Sequence, residues 1–345
     1  MPGEGVYEES SGDRAAAPSR LRLGADATAA AVQPGDPSAV VHVPILLREV
    51  LECLRPRSGD VVADCTLGGG GHARAILAAV RPGGRVIGLD VDPIELPRTQ
   101  SRLREEGVGS GEFVARCMNF SSLPIALAAE GLAAADVVLA DLGVSSMQLD
   151  RPERGFSYKG VGPLDMRMNP LEGETAAELI ARVPEEELAQ LLHENADEPH
   201  AQLIARVLKQ HLCETTHATE RAIRGALHSA DPALSKSDVK MSTRRTFQAL
   251  RIAVNNEFAA LDALLGTLPC CLAPGGRVAI ITFHSGEDRR VKKAFQAGRR
   301  SGAYVAIADH VIRSQKEETF SNRRASAAKL RWAERARHHG AATIR

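Results

Sequence analysis

Residues 61–72 read VVADCTLGGGGH: an apolar run closed by the carboxylate Asp64, four consecutive glycines, then His72 at the opening of the next helix. An apolar run that enters a glycine-rich turn before a helix lets backbone N–H groups approach a ligand with no Cβ in the way, at the positive end of the helix. Each glycine inside a regular element costs about 1 kcal/mol, so four in a row indicate a ligand-binding turn rather than packing. A second carboxylate, Asp90, ends the following apolar run, Val86-Ile87-Gly88-Leu89, where it can receive ribose hydroxyls. The loop alone does not choose its nucleotide. Gly68-x-Gly70-x-x-Ala73, with Asp90 twenty-two residues after Gly68, also satisfies the loose dinucleotide fingerprint, so NAD and S-adenosylmethionine both stay open on this stretch.

Downstream of the loop the pattern alternates. A helix over 72–80, a turn at 81–84, a strand over 85–90, a helix to about 106, a strand over 112–117, a helix over 121–131 and a strand over 136–142 predict a mostly parallel α/β sheet covered on both faces. The right-handed crossover rule makes it doubly wound, with ligands at the carboxyl ends of its strands. Upstream, 41–54 reads as an extended lead-in to a short helix carrying Leu46, Leu47, Val50 and Leu51. Residues 1–40, rich in Ala, Gly, Pro and Ser, read as a disordered tail. The acids Glu4, Glu8, Glu9, Asp13, Asp26 and Asp36 argue against an organelle transit peptide there.

After Asp141 the alternation stops. Helical segments at 175–183 (with Thr175 and Glu178 as a capping box), 185–193, 201–212 and 219–229 predict an inserted helical subdomain. A long amphipathic helix over 243–268 follows, then a turn at 273–276, a strand over 277–283, a helix over 287–296, and extended segments at 304–312 and 329–334 that complete the sheet edge. The expected division is a tail at 1–40, the domain of the parallel sheet at 41–149 and 241–335, the insertion at 150–240 and a basic tail at 336–345.

Composition narrows the class. With 345 residues, 44% of them hydrophobic, the chain can bury a large core, and no apolar run reaches the roughly 18 residues of a membrane helix. Six cysteines at 53, 65, 117, 213, 270 and 271 form no CxxC pair, so neither a metal site nor a disulfide framework is expected. Net charge is zero, but residues 288–345 hold fifteen Lys or Arg against five Asp or Glu, a balance that suits a polyanion.

Three features move the nucleotide reading toward methyl transfer. Asp64 adds a carboxylate at the first strand's end, Asp141 ends the fourth strand before a turn-forming Gly-Val-Ser-Ser, and no Tyr-x-x-x-Lys or other hydride-transfer set is present. The stretch 141–170, DLGVSSMQLDRPERGFSYKGVGPLDMRMNP, mixes glycines, prolines, basic residues and aromatics that cannot form one regular element, as expected of a loop that binds or covers a substrate. His284, Ser285, Glu287 and Asp288 superficially suggest a hydrolase set, but no nucleophile elbow accompanies them.

At this point the sequence resembles the RsmH (MraW) family, S-adenosylmethionine-dependent methyltransferases acting on the N4 amino group of a decoding-site cytidine in small-subunit ribosomal RNA. The matching stretches are HVPILLREVL at 42, DCTLGGGGHA at 64, GLDVDP at 88, NFSSL at 119, DLGVSSMQLD at 141, RGFSY at 154, GPLDMRMNP at 162, RTFQALRIAVNNE at 245, FHSGEDRRVKKAF at 283 and KLRWAER at 329. The resemblance implies a class I (Rossmann-like) fold. It also implies cofactor contacts from Gly70, Gly71, His72, Asp90, Phe120, Asp141 and Gln148; Asp141 is in addition the candidate catalytic group, holding the amino N–H or organising the loop that supplies a backbone carbonyl. Phe156, Tyr158, Asp165, Arg167, Arg245, His284 and Ser285 are the candidate substrate residues, the two aromatics as a clamp on an unstacked base. Small-subunit RNA, assembled or in a late precursor, is the expected partner; a homodimer stays open, and the bacterial-type cytoplasm is the expected compartment, an organelle matrix or stroma the alternative. An NAD-dependent oxidoreductase and a non-catalytic assembly factor binding S-adenosylmethionine and RNA are the rival readings. The chain departs from the family pattern at 195–200 (NADEPH), Gly286, Arg323 and Ser326.

Overall fold

A computed structural model describes residues 44–211 and 213–337. The expected tail at 1–40 and most of the basic tail at 336–345 lie outside the described residues. Seven strands form one sheet: β1 (Val61–Asp64), β2 (Arg85–Asp90), β3 (Phe113–Cys117), β4 (Ala135–Asp141), β5 (Leu272–Thr282), β6 (Tyr304–Ile307) and β7 (Lys329–Arg335). Their order is β3-β2-β1-β4-β5-β7-β6. The first five run parallel, while β7 lies antiparallel between β5 and β6. The central strands read as continuous apolar runs because both faces of the sheet are covered. One face packs Ile87, Leu89, Val138 and Ile280 under Leu123, Leu127, Leu261 and Leu268, and the other packs Val62, Val86 and Leu139 under Leu46, Val50, Ile76 and Leu77.

The order reverses between β1 and β4, which are direct neighbours with Asp64 opposite Leu139. In an open parallel sheet such a reversal leaves a crevice outside the carboxyl ends of the two strands, because their following helices go to opposite faces. The glycine loop leaves from one side of that crevice and Asp141 stands on the other.

A third buried cluster joins Leu164, Met166, Leu179, Leu188, Leu192, Ile204, Ile223 and Leu227 with Phe247 and Leu250. The capping box of Thr175 and Glu178 starts the helix Ala176–Arg182 as expected. The predicted long helix over 243–268 is a correction: it is two helices, Lys236–Val254 and Glu257–Cys271. Apolar periodicity runs through the junction, but Asn256 adopts a left-handed backbone (φ 50°), and Asn255 turns inward to bond the backbone of Met166 and Met168. Residue 240 falls inside the first of these helices, whose Phe247 and Leu250 belong to the helical cluster. The turn expected at 273–276 is absorbed into β5, where the register against β4 shifts between Ala135 and Val137.

Asparagine tolerates the left-handed region that alanine avoids at a cost of about 1 kcal/mol or more. Asn256→Ala is therefore expected to lower unfolding stability by about 1 kcal/mol, with Asn256→Gly close to neutral, as read from urea midpoints at constant slope.

Candidate active site

The glycine loop is shaped by backbone geometry that side chains would block. Gly68 and Gly70 have φ of 46° and 74°, and a Cβ at Gly70 would lie 2.7 Å from Thr99 Cγ2. The loop is fastened from β2 and the helix Glu95–Glu105 that follows it: Gly68 N–H donates to Asp90 Oδ2 at 2.7 Å, and Thr99 Oγ1 donates to the Gly68 carbonyl at 2.6 Å. Asp90 Oδ1 accepts from Asp92 N–H at 2.9 Å, so each Asp90 oxygen has one backbone partner and keeps a lone pair for a hydroxyl. Gly71 opens the helix Gly71–Val80.

His72, in the first turn of that helix, is buried with Nε2 3.0 Å from the carbonyl oxygen of Ile45. That carbonyl can only accept, so Nε2 carries the proton and Nδ1 keeps a lone pair. Burial pushes the ring down to about 4, leaving it neutral at physiological pH. Nδ1 lies 3.9 Å from Asp141 Oδ2, beyond direct hydrogen-bond reach.

Two carboxylates end the adjacent strands without a full set of partners. Asp64 is 1% exposed; its Oδ1 accepts from Thr66 N–H at 3.1 Å, and its buried Oδ2 has no partner. Asp141 donates its own N–H to Thr66 Oγ1 at 2.6 Å, while its buried Oδ1 has none. Burial pushes the Asp141 carboxyl up to about 8, with the charges of Asp64 and Glu287 adding to it, and pushes Asp64 up to about 7. Asp141 keeps a quarter of its side-chain surface open, so the group is both costly to charge and reachable.

The loop after Asp141 is held from behind. Ser145 and Gln148 form a capping box on the helix Ser146–Leu149. Gln148, expected at the cofactor, instead spends its amide inside the protein: Oε1 accepts from Ser145 N–H at 3.0 Å and Nε2 donates to Asp92 Oδ2 at 2.9 Å. The same Asp92 oxygen accepts from Arg154 Nη1 at 2.8 Å, and Arg154 Nη2 donates to the carbonyls of Arg167 and Met168. Asp92 and Arg154 are 1% and 6% exposed. Sequence reading missed both: each stands in a quoted stretch, GLDVDP and RGFSY, but an Asp just past a strand reads as a turn former and a loop Arg as a surface cation.

The substrate candidates separate. Phe156 is a correction: it is buried in the helical cluster, so it packs and cannot clamp a base. Tyr158 is half-buried, edge-on to Phe247 at 5.3 Å. Asp165 and Arg167 hold each other in a two-pronged pair at 2.8 Å on each arm. Arg245 is half-buried on the helix Lys236–Val254. Phe120 lies partly buried in a short turn after β3, against the sheet core.

His284 and Ser285 start the helix Ser285–Arg300. His284 Nε2 lies 3.2 Å from Glu287 Oε1, and Glu287 Oε2 accepts from Phe283 N–H at 2.8 Å. Burial alone would raise the Glu287 carboxyl; the His284 contact and the Arg251 charge outweigh it and hold Glu287 low. Glu257, His284 and Glu287 bring ligand-type atoms within 4.8 Å of one another, but Arg251 occupies both oxygens of Glu257 at 2.7 and 2.8 Å. The Glu257 oxygens of this group are thus engaged in an ion pair with Arg251.

Two departures have local reasons. A Cβ at Gly286 would meet Phe258 Cζ at 2.7 Å, because the Phe258 ring, with Arg290 3.6 Å over its face, occupies that space. Within 195–200, buried Glu198 accepts from Ser242 Oγ at 2.9 Å and Asp197 pairs with Arg289 at 3.6 Å.

A family model of the MraW methylases matches residues 39–336. The chain belongs to this family. Ribosomal RNA small subunit methyltransferase H 2 of Alkaliphilus metalliredigens is 46% identical over 315 residues, covering 90% of this chain and 89% of the relative. Ribosomal RNA small subunit methyltransferase H of Myxococcus xanthus is 44% identical over 312 residues, covering 86% and 98%. As an MraW methylase the chain is a methyltransferase.

Two outcomes follow. Arg154→Ala strands the buried Asp92 carboxylate and is expected to cost about 3–5 kcal/mol in chemical unfolding. Asp141 titrates near 8 in the folded protein against about 3.9 unfolded, so below pH 4 it costs nothing. As pH rises toward 8 the unfolded state ionises first and stability falls. The melting temperature of ligand-free Asp141→Asn should match the wild type near pH 4 and exceed it increasingly up to pH 9.

Proposed function

We propose that this methyltransferase transfers a methyl group from S-adenosylmethionine to the N4 amino group of a decoding-region cytidine in small-subunit ribosomal RNA. The acceptor would be presented by an assembled or late-precursor subunit. The observation that carries the reading is the meeting, at the sheet reversal, of a Cβ-free glycine cradle, the Asp90 carboxylate and the open, unpartnered Asp141. The names of the MraW-family relatives supply the substrate class, and the position of Asp141 after β4 supports an amino group as acceptor.

The residues fit the cofactor. Bare N–H groups at the start of the helix Gly71–Val80 suit its carboxylate, and the unpartnered oxygens of Asp64 and Asp141 suit a ligand carrying an ammonium and a sulfonium. Gly70, Gly71 and His72 would hold the amino-acid end, Asp90 the ribose, and Phe120 the adenine. Gln148 acts through Asp92, keeping the Asp141 loop in place. When bound, S-adenosylmethionine supplies a methyl group already activated as a sulfonium.

The protein's task is then positioning. The Asp141 carboxylate, a quarter open and with its buried Oδ1 lacking a protein partner, accepts an N–H of the cytidine amino group and turns the nitrogen lone pair toward the methyl. A cation beside Asp141 favours its ionised form, offsetting the burial that otherwise keeps it protonated. Once the nitrogen is methylated its proton becomes acidic and can pass to the same carboxylate, so no stronger base is needed. His72, neutral and tied to Ile45, contributes shape and a lone pair without charge.

The bacterial relatives support action in a bacterial cytoplasm. Incubation with labelled S-adenosylmethionine and small subunits from cells lacking the enzyme should place label on cytidine N4, identified by nucleoside mass spectrometry. Label absent from the RNA would leave only a binding role, and NAD binding in its place would revive an oxidoreductase. Asp141→Ala is expected to reduce turnover at least about a hundredfold with an unchanged circular dichroism spectrum; near-normal turnover would remove Asp141 from the chemistry.

A further inference from the structure

Between Ile312 and Leu330 the chain makes an excursion away from the sheet, closed at its base by paired backbone hydrogen bonds between those two residues at 3.0 and 2.8 Å. Its tip is the short helix Lys316–Ser321, which presents Phe320 with 92% of its surface exposed. The other large apolar side chains exposed on the described residues are aliphatic or methionine, and each is less exposed than Phe320. A phenylalanine so placed gains nothing from folding by the hydrophobic effect.

The excursion is nevertheless held rigidly. Inside it, Ser314 Oγ donates to the Ala325 carbonyl at 2.8 Å and lies 3.0 Å from Thr319 Oγ1, while Asn322 N–H donates to the Glu318 carbonyl at 2.7 Å. On one side Glu318 Oε1 accepts from Leu46 N–H at 2.7 Å, just before the helix Leu47–Leu54. On the other side Arg324 Nη2 donates to Asp150 Oδ1 at 2.5 Å. Asp150 caps the helix Ser146–Leu149, which carries Gln148, so the excursion is fastened to the loop that follows Asp141.

Charge surrounds the ring. Arg313, Lys316 and Arg323 are exposed and, among the described residues, have no carboxylate within ion-pairing distance, whereas Arg324 is taken up by Asp150. The acids of this tip are Glu317, exposed, and Glu318, committed to Leu46. A preorganised bare aromatic flanked by free cations is the arrangement that unpaired nucleotides recognise: the ring stacks on a base and the cations take phosphates. A protein partner would be expected to meet a broader apolar patch with fewer free cations.

We propose that Phe320, with Arg313, Lys316 and Arg323, is a stacking platform for an unpaired base of the ribosomal RNA substrate at the rim of the active-site loop. This rests on the RNA methyltransferase reading above. Because the platform acts in docking, it sets the KM for the subunit and leaves the cofactor site alone.

The test uses the full chain with Phe320→Ala and Phe320→Trp, assayed for methyl transfer to unmodified small subunits and for S-adenosylmethionine affinity by calorimetry. Stacking on one base is worth a factor of about ten or more, so Phe320→Ala should raise KM for the subunit by roughly tenfold, with kcat and cofactor affinity unchanged. Phe320→Trp should retain the wild-type KM. An unchanged KM in Phe320→Ala, or an equal loss in Phe320→Trp, would overturn the platform. A photoreactive phenylalanine analogue in place of Phe320 should cross-link to RNA of the bound subunit; cross-links confined to ribosomal proteins would also overturn it. If the wild type labels no RNA, the methyltransferase substrate is wrong, and filter retention of subunit RNA by wild type and Phe320→Ala still reads the platform separately.

Discussion

Two carboxylates held at the ends of neighbouring parallel strands, each with a buried oxygen that no protein group satisfies, set the terms for the rest of this structure. Leaving such groups buried is expensive, and burial raises both carboxyls far above the usual carboxylate range, Asp64 to about 7 and Asp141 to about 8. The cost is reversed by a ligand that carries positive charge there. The same desolvation that raises the two carboxyls strengthens every interaction they make with a cation, since little water remains to screen it. The glycine cradle explains how a nucleotide-like molecule fits; the orphaned oxygens explain why a cationic one does.

The crevice also needs a fixed wall, and the buried pair of Asp92 and Arg154 provides it. One oxygen of Asp92 gathers Gln148 and Arg154, and the other accepts the backbone N–H groups of Ile94 and Glu95. A single carboxylate thereby joins the β2 loop, the helix after Asp141 and the loop at 154–168. Buried ion pairs contribute little net stability compared with apolar packing, but removing one partner is severe. The pair's value here is geometric: it fixes the helix after Asp141 and the loop at 154–168 against the loop that follows Asp90.

Much of this was legible in the chain. Continuous apolar runs alternating with helical periodicity predicted the first four parallel strands to within a residue or two, because burial on both faces leaves a plain signature, while β5 starts five residues earlier than its apolar run. Glycine in positive φ and a carboxylate at a strand end are local requirements, so Gly70, Asp90 and Asp141 could be picked out one by one. The helix break at Asn255 and Asn256 was not legible, since apolar spacing continues across it and the deciding bonds go to Met166 and Met168, far away in sequence. Phe156 illustrates the converse: an aromatic in a substrate-like loop has the same local pattern whether it faces solvent or a core.

By itself, then, the sequence determined the sheet class, the glycine loop, the family and the carboxylate that ends β4, since each depends on short-range pattern or on motifs read in order. Only the tertiary structure decided that Asp64 and Asp141 share one crevice, that Gln148 bonds to Asp92, that Phe156 is core, and that Phe320 stands bare on a fastened tip. Those facts are set by strand order and by contacts between residues tens to hundreds of positions apart. Periodicity says which face of an element is apolar; it carries no information about what lies across from it.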